Sequence, residues 1–186
     1  MSRNSWGYVK GQDYKTPASL IHDLVDIVSK NGALLLNIGP RPDGTIPEPE
    51  QELLRTIGRW LTVNGEAIYG TEPWKVYGEG PTEVKIGFAT DQEAKPYTTS
   101  DFRFTRKGDN LYVISLACPQ DGTAAVHSLG LAGEVKGQRI EAVDLLGSQQ
   151  KVEWLQTRDA LNVKLPPDAA CEYGFALRVR LAAPSF

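Results

Sequence analysis

LVDIVSKNGALLLNIGPRPDGTIP, residues 24–47, is the stretch on which the fold turns. Its opening continues a helical stripe that begins upstream with Leu20 and Ile21 and runs through Leu24, Val25 and Val28. Thr16 and Pro17 supply the start signal, an N-cap residue followed by proline at the first helical position. Lys30, Asn31 and Gly32 form the stop, with Gly32 expected to take the left-handed cap. ALLLNIG (33–39) is apolar on both faces, which is how a parallel strand covered on both sides reads. The loop at 40–49 is punctuated by proline and glycine. A second helix follows, burying Leu53, Leu54, Ile57, Trp60 and Leu61 and ending at Asn64 and Gly65. Glu48, Glu50 and Glu52 suit its positive end. Helix, buried strand, helix is a piece of an α/β architecture.

Beyond about residue 75 the pattern changes to short alternating segments separated by turn pairs, among them FRFTRKGDNLYVISL, RIEAVDLLGS, LNVKLP and YGFALRVRL. KGDN (107–110) is a hairpin signal, with Gly108 and Asn110 both tolerant of positive φ. Regularly spaced strands of this kind indicate an antiparallel β-sandwich. The boundary is placed near residues 78–81, dividing the chain into 1–78 and 79–186. At about 100 residues the second part is large enough to be expected to fold alone. A complete (β/α) barrel needs roughly 250 residues and eight units, and residues 1–78 hold about two. The fold class expected is therefore α/β plus all-β: a partial (β/α) barrel fragment followed by an antiparallel β-sandwich.

Composition excludes several classes. Hydrophobic residues make up 41% and charged residues 23% of the 186, which is ordinary for a folded globular chain. The net charge of -3 comes from 20 basic and 23 acidic residues without a basic stripe, so neither nucleic acid nor an anionic membrane is the expected partner. ALLL at 33–36 is far too short to cross a bilayer, and the amino terminus does not read as a signal peptide. Cys118 and Cys171 lack metal-ligand spacing and read as buried free thiols rather than a bridge; they fix no compartment. With no zinc spacing and no glycine-rich phosphate loop, no cofactor is expected.

SWGY (5–8), LLLNIGPRPDGTIP, NGEAIYGTEPW and YTTSDFRFTRKGDNLYVISL together resemble the carboxy-terminal part of the α-L-fucosidases of glycoside hydrolase family 29, from about residue 4 to the end. The resemblance implies a barrel-like catalytic domain followed by a β-sandwich. It also implies retaining hydrolysis of α-L-fucosides by an Asp nucleophile and, in many members, a Glu acid/base. That chemistry needs two carboxyl groups about 5–5.5 Å apart, one to attack the anomeric carbon and one to protonate the leaving oxygen and then activate water. In the family the nucleophile segment precedes the stretch matching SWGY, and the histidines that grip the fucose hydroxyls come from the amino-terminal half of the barrel. This chain has only His22 and His127, neither in such a motif. No catalytic residue is assigned, and the chain alone is expected to lack the catalytic carboxylates.

Three residues are candidate substrate contacts. Trp6 and Tyr8 offer ring faces suited to the C–H face and methyl group of fucose, the competing reading being core packing at a strand end. Asn37 follows the apolar run, where it either orients a hydroxyl or ties down the IGPRPDG loop through backbone hydrogen bonds. The acids read structurally. Asp43 belongs to a turn, Asp13 to a solvated loop, Asp23 and Asp26 with His22 to a solvated helix face, and the three glutamates to the helix dipole. Trp60 is a packing residue, Trp74 sits at the junction of the two parts, and Trp154 faces a sheet or a ligand.

The expected function is retaining exo-hydrolysis of terminal α-L-fucose, in a chain that looks like a carboxy-terminal fragment. The alternative is a non-catalytic β-sandwich glycan-binding or assembly module that complements a separate catalytic half. The partners that follow are a fucosylated glycan, a second copy of the chain, or an amino-terminal barrel half that supplies the rest of the site.

Overall fold

The computed structural model describes residues 1–3, 5–83 and 96–183. Helix α1 (Pro17–Ser29) starts as its sequence requires: the Thr16 hydroxyl accepts the Ser19 N–H at 3.1 Å. It stops one residue earlier than expected, because Asn31 takes the left-handed conformation at φ 66° and Gly32 does not. Asparagine tolerates that region and Gly32 is then the following residue, whose N–H caps Ile27 at 2.8 Å. Helix α2 (Glu48–Asn64) buries Leu53, Ile57 and Trp60 on its apolar stripe.

Eight strands follow among the described residues: β1 (Glu72–Glu79), β2 (Phe102–Lys107), β3 (Asn110–Ser115), β4 (Thr123–Val126), β5 (Ile140–Leu145), β6 (Glu153–Gln156), β7 (Leu161–Lys164) and β8 (Ala176–Leu181). They form a five-stranded sheet, β1-β2-β3-β8-β5, and a three-stranded sheet, β4-β7-β6, with these strands paired antiparallel throughout. The β2–β3 hairpin turns at Gly108 with φ 57°. Asn110 does not share the positive φ expected of it; it pairs with Lys107 as the first residue of β3. Strand alternation builds the sandwich core. Phe104, Val113, Leu177 and Val179 meet Val126, Leu161 and Val163 of the facing sheet.

Strand β1 lies ahead of the expected boundary. Residues 72–79 pair with β2, so the end of the stretch assigned to the first part belongs to the sandwich sheet. Trp74 goes with it, stacked edge-on against Phe104 at 5.2 Å. The sequence hides this strand because Pro73 and Gly78 interrupt it and its register shifts between them.

Residues 33–39, expected as a buried parallel strand, join no ladder among the described residues. A strand needs a neighbour on at least one edge, and the helices flanking this segment provide none. One side is covered, with Leu36 and Ile38 packed against the helices, while Leu35 on the other side is 94% exposed. The thiols are likewise not free: Cys118 and Cys171 form a disulfide with Cα atoms 5.7 Å apart.

The helices and the sandwich share a second core. Leu20, Ile21, Val25, Ile57 and Trp60 pack with Tyr112, Ile114, Leu116 and Ala176 on the face of the five-stranded sheet opposite the first core. The Trp60 indole N–H donates to the Gly174 carbonyl at 3.2 Å, and the Asn64 side chain accepts the Ala176 N–H at 3.1 Å.

Candidate functional site

The amino-terminal segment folds back on itself. The Arg3 N–H donates to the Asp13 carbonyl at 2.8 Å and the Lys15 N–H to the Met1 carbonyl at 3.0 Å. The intervening loop presents Trp6 and Tyr8. Residues 37–41 run directly alongside it. The Asn37 amide donates to the Trp6 carbonyl at 2.6 Å. Gly39 lies so close to the loop that a Cβ there would stand 2.9 Å from the Tyr8 nitrogen, so only glycine permits this approach.

Trp6, Tyr8 and Asn37 are thus neighbours on one exposed patch. The Trp6 ring is 89% exposed and free to stack on the apolar face of a ligand. The Asn37 side chain holds the Trp6 segment, leaving its amide oxygen as an acceptor. The Tyr8 ring is packed under the Arg41 guanidinium, 5.8 Å from the ring centre.

Two further groups belong to this patch and escaped the sequence reading. Gln12 donates to the Gly7 carbonyl at 3.4 Å, and its side-chain oxygen is buried without a protein partner among the described residues. Glu50, read as a dipole partner, is fully buried; its carboxylate accepts the Gly39 N–H at 3.0 Å and faces the Met1 ammonium at 3.7 Å. Its position was legible, because residues 50, 53, 57 and 60 trace one helical stripe, and a carboxylate on a buried stripe requires a partner. Burial, with help from Glu50 and Tyr8, also raises the Tyr14 phenol above its ordinary range.

The remaining acids are committed elsewhere. Asp43 accepts the Thr45 N–H and hydroxyl at 2.9 and 2.7 Å, which lowers its pKa and identifies it as a turn residue. Glu48 pairs with Arg55 at 2.9 Å, and Glu52 with Arg59 at 2.8 Å. Asp26 departs from the solvated face expected for α1. It is buried and pairs with Arg103 of β2 at 2.6 Å and with Lys30 at 2.7 Å. Its face of α1 is covered by the sandwich rather than by water. Beside this pair, the Arg103 guanidinium lies 5.5 and 5.4 Å from the ring centres of Tyr77 and Tyr97. Burial and the Asp26 charge push Tyr97 up to about 12. His22 packs edge-on against Tyr97, 5.2 Å between ring centres, with Nε2 3.2 Å from the Tyr173 carbonyl; burial lowers its pKa. No three His, Cys, Asp or Glu side chains gather as a metal-holding group among the described residues.

Comparison with known proteins gives this geometry a context. Residues 1–66 match the family model described as alpha-L-fucosidase, and residues 94–180 that of the alpha-L-fucosidase C-terminal domain. The chain is 33% identical over 183 residues to tissue alpha-L-fucosidase of Homo sapiens, covering 95% of this chain and 34% of that protein. It is 36% identical over 183 residues to plasma alpha-L-fucosidase of Pongo abelii, covering 93% and 35%. The crystal structure of Thermotoga maritima alpha-fucosidase in complex with fucose superposes with a TM-score of 0.72 at 29% identity, over 94% of this chain and 36% of that one. The chain therefore spans about a third of the length of the curated relatives it matches.

Proposed function

This chain belongs to the α-L-fucosidase family, and from that premise we propose that it serves the retaining hydrolysis of terminal α-L-fucose from fucosylated glycans, as the carboxy-terminal part of such an enzyme. The observation that carries the proposal is the exposed Trp6 ring, held by Asn37 beside Tyr8 on the stretch matched by the family model. In this reading the ring takes the C–H face of the sugar, and Asn37 offers its amide oxygen to a hydroxyl. The reacting carboxylates come from elsewhere. Asp43, Glu48 and Glu50 are engaged by a turn, an arginine and a buried backbone amide.

The test is release of nitrophenol from nitrophenyl α-L-fucoside. The chain alone is expected to be inactive. A chimera in which the preceding part of the Thermotoga maritima relative is fused ahead of it is expected to be active. Trp6→Ala in the chimera should lower kcat/KM by about tenfold, the size of a lost ring contact. Dose-dependent release by the chain alone, or an unaffected Trp6→Ala chimera, refutes the reading.

A second reading is supported by residues 33–39, which join no sheet among the described residues and leave Leu35 94% exposed. Here the chain is an assembly module whose open side is covered by a second copy or by an amino-terminal barrel half. Sedimentation at micromolar concentration should then show association that Leu35→Lys abolishes. A wild-type monomer counts against it.

A further inference from the structure

The outer face of the three-stranded sheet carries a groove of about 830 Å³, within the range of ligand sites. The five-stranded sheet separates it from the helices, so it lies on the far side of the sandwich from the second core. Strand register lays its floor in two rows. Ala125, Asn162 and Leu155 form one, and Thr123, Lys164 and Glu153 the other.

The first row is an apolar strip interrupted by an amide. Leu155 is 64% exposed, and the Asn162 side chain makes no hydrogen bond among the described residues. The second row is charge-compensated, with Lys164 3.4 Å from Glu153. Asp121 on the wall is occupied by the Thr123 N–H and hydroxyl at 3.0 and 2.7 Å. His127 Nδ1 faces the Asp159 carbonyl at 3.2 Å, which makes Nδ1 the donor and leaves Nε2 as an acceptor in the neutral ring. The groove thus offers the Asn162 amide and, in the neutral ring, His127 Nε2, beside the Lys164–Glu153 pair.

Both walls are fixed in advance. Pro119 and Gln120 follow Cys118, which the disulfide ties to Cys171. Thr99 and Ser100 sit in the turn that Asp101 clasps. Its fully buried carboxylate accepts the N–H and hydroxyl of Thr98 at 2.6 and 2.7 Å and those of Thr82 at 3.0 and 2.8 Å. A rigid floor with locked walls lowers the ordering penalty of binding.

We propose that this groove is a carbohydrate-binding site for a neutral oligosaccharide, distinct from the ring patch at Trp6. A polyol presents apolar C–H faces and neutral hydroxyls, which matches an apolar strip flanked by an amide, hydroxyls and an imidazole acceptor. With Asp121 and Glu153 against Lys164 alone, the lining disfavours an anionic ligand. The fucosidase reading enters only in the choice of probe.

The 186-residue chain is titrated with 2′-fucosyllactose, lactose and 3′-sialyllactose while amide shifts are followed by NMR. The two neutral sugars should shift residues of β4, β6 and β7 with roughly millimolar affinity. Ala125→Trp fills the groove from an exposed position and should weaken binding at least tenfold with an unchanged circular dichroism spectrum. Asn162→Ala should weaken it several-fold, and Trp6→Ala should leave it intact. The proposal is overturned by no response up to about 20 mM sugar. Binding retained in Ala125→Trp, or tighter binding of sialyllactose than of lactose, also overturns it. Because the readout is binding, its failure is separate from any failure of fucoside hydrolysis.

Discussion

Replacing Asp26 by asparagine tests how helix α1 is held to the sandwich. The Asp26–Arg103 pair is short, at 2.6 Å, with side chains only 11% and 4% exposed. Asparagine keeps the shape and removes the charge, leaving the Arg103 guanidinium buried against Tyr77, Tyr97 and the Phe102 carbonyl. Breaking a buried pair from one side costs about 3–5 kcal/mol. At about 2–4 °C per kcal/mol for a chain of this size, the midpoint of thermal unfolding should fall by roughly 10 °C. Arg103→Met should cost somewhat less, because Asp26 retains Lys30 at 2.7 Å, although two ring contacts of about 0.5–2 kcal/mol each are lost. The double variant Asp26→Leu/Arg103→Met removes both charges and should be less destabilised than the sum of the singles by about 1–3 kcal/mol. Urea unfolding of the wild type, both singles and the double measures that difference. Singles below about 1 kcal/mol, or a double within about 0.5 kcal/mol of the sum, would refute the pair as the clamp.

Three other outcomes follow from the same physics. The disulfide closes a separation of 53 residues, so Cys118→Ser/Cys171→Ser should lower stability by about 4 kcal/mol on loop entropy, read from urea midpoints with and without reductant. Gly174→Ala should unfold the chain or cost several kcal/mol in the same assay, because φ is +109° and a Cβ would lie 2.1 Å from the Ser115 carbonyl. His22 has a lowered folded pKa, so the unfolded chain binds its proton first as pH falls; stability should drop below about pH 6.5, and His22→Gln should flatten that part of the profile in pH-dependent melting.

What could be read in advance follows from where local chemistry decides. The Thr16 cap, the α2 stripe and the Gly108 turn are set by residues close in sequence, and the structure has them. Asp26 was misread because spacing tells that it lies opposite the helix's own apolar stripe, not that β2 brings Arg103 there from 77 residues away. The same holds for the disulfide, which depends on how β3 and the β7–β8 connection meet. Residues 33–39 carry the composition of a strand, but a ladder is a property of two segments, and composition does not state whether the second is present. At the ring patch, Trp6 and Tyr8 stood out by residue type; Gln12 carried no signal, since its significance lies in an unpaired buried oxygen.

The core shared by the helices and the five-stranded sheet bears on how such a chain can be rearranged by recombination. The boundary read near residues 78–81 invites exchange of the sandwich as a cassette. A cut there would strip β1 from its sheet and bare Tyr112, Ile114, Leu116 and Ala176, whose cover is Leu20, Ile21, Ile57 and Trp60. Grafts that travel with both helices keep that cover and should stay soluble. Grafts that begin at residue 79 should aggregate, so the heritable unit includes the two helices as well as the sandwich.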